Sequence, residues 1–190
     1  MNSPAGRRAL CLGAFALTVV AVTAPPASAQ ASHVVASGAF APPAEAVNAY
    51  AYDTSLIPEG ATVRLRAVYT ASGSTVVTLH VKGLVPNREY GAHAHVNECG
   101  PTGAAAGAHF QHVVDPVTPS TNPAYANPDN EIWLDFTTDD EGSAAAQTVV
   151  RWQFDERRAH SVVIHYEHTR TGPTDSGVAG PRLGCLTVPF

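Results

Sequence analysis

Gly91-Ala92-His93-Ala94-His95-Val96-Asn97-Glu98-Cys99 is the stretch from which the fold is read. In an extended strand, side chains alternate between two faces, so Ala92, Ala94 and Val96 share one side and His93 and His95 the other. The small apolar side suits a core. The two imidazoles look out from it, with Cys99 following shortly after in the chain. Imidazole is a common side-chain metal ligand and suits copper and zinc. A His-x-His pair alone fits two solvated histidines equally well, so the neighbouring sequence has to decide.

The same two-residue period runs through most of the chain. Upstream, Val47 to Tyr52 is a first candidate strand, closed by Pro58-Glu59-Gly60. In Thr62 to Thr70, Val63, Leu65, Ala67 and Tyr69 oppose Arg64 and Arg66. Ser72-Gly73 turns the chain into Thr75 to Lys82, where Val77, Leu79 and Val81 oppose Thr78, His80 and Lys82. Pro86-Asn87 then marks the turn into Glu89 to Val96. Downstream, Ile132, Leu134 and Phe136 alternate with Glu131, Trp133 and Asp135. Ala144 to Phe154, Ser161 to His168 and Leu183 to Val188 are further strands. In Ser161 to His168, Val162, Ile164 and Tyr166 are read as core-facing, which turns His165 outward. Between Asn97 and Asn130 periodicity is lost amid five prolines, and loops this long inside a compact domain are usually functional. Thr169 to Gly180 is a second loop. About eight strands, short turns, no helical pattern and no repeat predict an all-β fold, an eight-stranded antiparallel Greek-key β-barrel or sandwich with long functional loops.

The N-terminus reads differently. Arg7 and Arg8, the apolar run Ala9 to Val22 and the Ala27-Ser28-Ala29 site have the layout of a secretory signal peptide. The predicted organisation is residues 1–29 as signal peptide, 30–45 as a flexible lead-in and 46–190 as the β domain. The expected location is secreted or cell-envelope. Removing residues 1–29 takes Cys11 away and leaves Cys99 and Cys185, and two cysteines in an exported domain suggest one disulfide. The chain carries a formal charge of −5, made more negative by the loss of Arg7 and Arg8. An acidic domain of this kind is a poor partner for nucleic acid. No stretch is apolar enough to span a membrane.

Taken together, four segments resemble the Cu/Zn superoxide dismutase family. Gly91 to Cys99 resembles its copper-binding His-x-His strand and first disulfide cysteine. Gly107-Ala108-His109-Phe110 resembles the Gly-x-His-Phe whose histidine bridges copper and zinc. Ser161 to His165 resembles the strand ending in the last copper histidine, and Arg182-Leu183-Gly184-Cys185 resembles the segment carrying the anion-guiding arginine and the second disulfide cysteine. The resemblance implies His93, His95, His109 and His165 as copper ligands. It also implies a Cys99–Cys185 disulfide, Arg182 as the cation that draws in superoxide, and His109 as the ligand that releases copper and takes up a proton.

The resemblance fails at zinc. The family's zinc site needs two further histidines and an aspartate after the bridging histidine, and here only His112 follows in the loop. His112, Asp115, Asp129 and Glu131 are left as members of a degenerate zinc site or as groups that orient the copper ligands. Glu131, Asp135, His112 or a water are the expected partners for the far nitrogen of His109. Copper-only members of the superfamily pair a lost zinc site with a reduced guiding loop, as this chain does. The implied function is a copper-dependent superoxide dismutase with no tightly held zinc. A copper-buffering protein on the same scaffold and a structural β-sandwich with incidental histidines are the competing readings.

Overall fold

The computed structural model describes residue 1 and residues 33–190. The signal-peptide reading lies outside the described residues. Nine strands follow in order: β1 (His33–Ala39), β2 (Ala49–Ala51), β3 (Thr62–Tyr69), β4 (Thr75–Lys82), β5 (Glu89–His95), β6 (Phe136–Thr137), β7 (Ala144–Val150), β8 (Ser161–His165) and β9 (Arg182–Thr187). A single 3-10 turn, Gly103–Ala106, lies between β5 and β6. Among the described residues there is no α-helix, and no helix is long and apolar enough to cross a membrane.

The strands form two antiparallel sheets, ordered β1-β3-β4-β7 and β2-β9-β8-β5-β6. Sequence neighbours β4 and β5, and β7 and β8, lie in different sheets, so the chain repeatedly crosses the sandwich. The core between the sheets is the alternation read from the sequence. Val63, Leu65 and Ala67 of β3 and Val77, Leu79 and Val81 of β4 meet Ala92, Ala94, Val162, Ile164 and Leu186 from the other sheet. Each Val, Leu or Ile so buried contributes roughly 1.5–3 kcal/mol. An aromatic group of Phe110, Trp152, Phe154 and Phe190 packs within the same core, with Phe110 and Phe154 edge to face at 4.9 Å.

Two expectations need correction. Residues 33–39 are not a flexible lead-in: β1 pairs along its whole length with β3, from His33↔Val68 to Ala39↔Thr62, and raises the strand count to nine. Its composition is poor in strand signals, but β3 offers an unpaired edge, and edge hydrogen bonds order a weakly patterned segment. Tyr166 does not face the core; it is 49% exposed. The register between β8 and β9 slips between Ile164 and His165, and β8 ends at His165, so the two-residue period cannot be carried onto Tyr166.

Gly142 sits at φ +72°, where a β-carbon would lie 2.0 Å from the Leu84 carbonyl oxygen. Gly142→Ala should cost about 2–3 kcal/mol, from backbone strain plus the displaced carbonyl, measured by urea unfolding; a loss under about 0.5 kcal/mol would show that this turn yields freely.

Candidate metal centre

β5 and β8 are neighbours, paired from Gly91↔His165 to His95↔Ser161. Antiparallel alternation puts His93, His95 and His165 on the face of this sheet away from the core. That face is not open. His93 and His95 are 0% exposed and His165 is 4% exposed, because two loop segments and the 166–181 loop lie across it. In one segment Val96 N–H donates to Ala108 and Phe110 N–H to Ala94, so residues 108–110 run against β5 and bring His109 opposite His95. Phe110 goes into the core, which turns its neighbour His109 the other way. In the other, Ala94 N–H donates to Ile132 and Leu134 N–H to Ala92, placing Glu131, Trp133 and Asp135 beside the histidines. The histidines point away from the core as expected, and the covering loops bury them, which leaves no room for the reading of two solvated histidines on β5.

Gly91 permits the covering. A β-carbon there would meet the Glu167 carbonyl oxygen at 2.5 Å and the Ala179 side chain at 2.9 Å, so only a glycine lets the 166–181 loop pass this close.

One ring nitrogen of each histidine is committed to an outward partner. His95 Nδ1–H donates to the Gly107 carbonyl at 3.0 Å and His165 Nδ1–H to the Gly180 carbonyl at 3.3 Å. His109 Nδ1–H donates to Glu131 Oε2 at 2.8 Å. For His93 the sense is reversed: Nε2–H donates to Thr169 Oγ1 at 2.5 Å, and that hydroxyl donates in turn to Asp135 Oδ1 at 2.7 Å. Asp135 is fixed by the amides of Ala92 and Thr169. These bonds set the tautomers. Neutral rings then present Nε2 of His95, His109 and His165, and Nδ1 of His93, as bare lone pairs towards one another.

The four residues offer nitrogens that all lie within 4.8 Å of one another, and they form the one such cluster of metal-capable side chains among the described residues. His95 Nε2 and His165 Nε2 are 3.3 Å apart, and His93 Nδ1 is buried with no hydrogen-bond partner. Bare nitrogens so placed repel unless a cation or proton lies among them. Burial, then the nearness of His109, drives the pKa values of His93 and His95 well below 6.5 and brings that of His165 to about 3. Protons are therefore disfavoured, and a four-imidazole donor set of this kind fits a divalent or monovalent copper ion and also fits zinc.

Arg182 lies opposite His165 across the β8–β9 ladder. Its Nη1 donates to the Gly103 carbonyl and its Nη2 to the Gly107 carbonyl, both at 2.7 Å. Among the described residues it forms no ion pair, so its charge is left for the cavity of about 450 Å³ that it lines with His109, His165, Thr118 and Val178. Cys99 and Cys185 are joined as a disulfide.

The four residues left from a zinc site separate. Glu131, 1% exposed, accepts from His109, from Trp133 Nε1 at 2.7 Å and, through its other oxygen, from Gln111 at 2.8 Å. His112 stacks on Trp152 with ring centres 4.9 Å apart. Asp115 accepts from the Val117 amide and the Ser120 hydroxyl, holding its own loop. Asp129 is exposed. Among the expected partners for His109, Glu131 holds the position and Asp135 serves His93 instead. Thr169, which links Asp135 to His93, was missed; nothing local in the sequence singles it out, since its partners are 76 and 34 residues away.

No protein-family profile matches the sequence, and no curated protein does. Solved structures do match in fold. Cu/Zn superoxide dismutase from Brucella abortus aligns at TM-score 0.53 and 17% identity, over 74% of this chain and 96% of its own. A double mutant of a SOD-like protein from Bacillus subtilis aligns at TM-score 0.52 and 14% identity, over 82% and 95%. The clock protein EA4 aligns at TM-score 0.50 and 17% identity, over 83% and 93%.

The neutral histidines carry a consequence for the metal-free protein. The folded pKa values of His93, His95 and His165 lie below the unfolded value of 6.5, so the unfolded chain binds more protons as pH drops from about 6.5 towards 3, and folding stability falls over that window. Each such histidine contributes a slope of up to about 1.4 kcal/mol per pH unit. Urea unfolding of metal-free protein should give lower stability at pH 5 than at pH 7.5; equal values would mean the cluster takes up protons without opening.

Proposed function

We propose that this chain, which has the fold of the Cu/Zn superoxide dismutases, is a copper-dependent superoxide dismutase acting outside the cytoplasm, with copper as its working metal and no tightly held zinc. The observation that carries the reading is the convergence of four bare imidazole nitrogens beside an arginine that has no ion-pair partner among the described residues and lines an open cavity with His109 and His165. His93, His95, His109 and His165 would hold the ion. Bound copper would supply one-electron exchange, by which two superoxide anions and two protons yield oxygen and hydrogen peroxide.

The rest is done by the chain's own groups. Arg182 offers the positive charge that attracts and orients a small anion, and its two carbonyl contacts hold the guanidinium at the cavity wall. Three of the imidazoles are fixed by neutral acceptors, Gly107, Gly180 and Thr169. Only His109 is bonded to a carboxylate. A proton taken up at His109 Nε2 would therefore leave a cation directly beside Glu131, which makes His109 the proton-handling residue. The same bond supports the zinc-free reading, because the nitrogen that a second metal would need is given to Glu131. The disulfide is in keeping with an oxidising compartment and so with export.

Metal analysis of the folded protein, with a superoxide-consumption assay, separates this reading from a copper buffer: one copper per chain with turnover supports it, and copper without turnover, or tight zinc, opposes it. Arg182→Glu should lower the rate about tenfold or more while copper stays bound, and the wild-type rate should fall with salt as steering is screened. A normal rate and flat salt dependence would remove Arg182 from the role. His165→Ala should lose most activity yet remain folded, since its side chain leaves no gap in the core; an unfolded or fully active variant contradicts the assignment.

A further inference from the structure

The opposite side of the sandwich carries a second feature. None of β1, β3, β4 and β7 contains a single Asp or Glu, in a chain with 16 of them. Arg64 and Arg66 of β3 and His80 and Lys82 of β4 all point to solvent from this sheet. The register sets Arg64 opposite His80 and Thr62 opposite Lys82. Adjacent strands are about 4.8 Å apart and alternate residues about 6.6–6.8 Å apart, so Arg64, Arg66 and Lys82 stand as closely spaced cations with the His80 ring among them. Like charges this close destabilise a sheet, and among the described residues none of the four makes an ion pair or a side-chain hydrogen bond. The three Lys and Arg charges have no carboxylate partner among the described residues of an otherwise acidic chain.

The patch is concave. A depression of about 870 Å³ runs over it, walled by Arg64, Arg66, Lys82 and His80, with the hydroxyls of Ser37, Thr62 and Thr78 alongside. From this we infer that the β1-β3-β4-β7 face docks an anionic polysaccharide. Guanidinium groups pair bidentately with carboxylate or sulfate, and the hydroxyls match sugar hydroxyls. A hollow strip of charge suits a linear chain, whereas a bilayer surface needs a flat or convex face. The metal centre sits on the outer side of the other sheet, so a docked molecule leaves the cavity beside Arg182 free.

The test is binding of the full chain to dextran sulfate and to polygalacturonate, with neutral dextran as control. Both acidic polymers should bind and neutral dextran should not. Raising ionic strength from about 0.01 to about 0.1 M, which shortens the screening length from roughly 30 to 10 Å, should weaken binding severalfold. Arg64→Glu/Arg66→Glu should weaken it about tenfold or more, each exposed ionic contact being worth a few-fold. Arg64→Gln/Arg66→Gln should lose most of the same affinity, and Arg170→Glu, in an ion-paired loop elsewhere, should leave it unchanged. Thermal unfolding checks that the variants are folded. No binding at low salt, equal binding by the double variants, tighter binding to anionic phospholipid vesicles than to the polymers, or salt-sensitive self-association through this face would each overturn the proposal.

Discussion

The hydrogen bonds that draw four imidazole N–H groups away from one another organise the second sheet. Gly107, Gly180, Thr169 and Glu131 each accept one ring N–H hydrogen bond, and the remaining lone pairs have no direction left but inward. A buried ring with one nitrogen committed cannot rotate freely, so the four bonds fix orientation and tautomer together. All four acceptors belong to segments with little regular structure, which explains why so much irregular chain is laid over one sheet face. That covering is what desolvates His93, His95 and His165 and disfavours their protonation.

The loops are in turn anchored by features unrelated to metal. Phe110 in the core, the disulfide and the close pass of the 166–181 loop over Gly91 each pin one end of a loop. The crosslink spans a sequence separation of 86 and on the chain-entropy picture is worth roughly 4–5 kcal/mol. It also ties the segment after Cys99 to the strand carrying Arg182, and two carbonyls of that segment hold the guanidinium. Positioning of the arginine and stability of the loop are therefore the same set of contacts.

Charge is divided between the faces of the sandwich. The net charge is negative, yet Arg182 at the cavity wall and Arg64, Arg66 and Lys82 on the far sheet form no ion pair among the described residues. Glu131 is the exception that clarifies the rule. It is a fully buried carboxylate with three donors, which is what burying such a charge requires.

The two-residue period was enough to place β3, β4, β5 and β9 within a residue or so, because one face of each is buried and a one-residue slip would invert it. The same parity put His93, His95 and His165 on one face, and spaced motifs brought in His109, Arg182 and the cysteines. Parity says which face a side chain takes and nothing about what lies above that face, so the burial of the histidines was decided only by the loops that fold over them. β1 was missed because its pairing is with an edge 23 to 35 residue positions away and not with its own pattern. The choice between Glu131 and Asp135 for His109 had the same origin: both take the same face by alternation, and only the bridge of Thr169 from a distant loop directs Asp135 to His93 and leaves Glu131 to His109. Local sequence determines strands and faces because side-chain direction is a property of the backbone period; which polar groups meet is a property of loop closure, and that exists only once both sheets are packed.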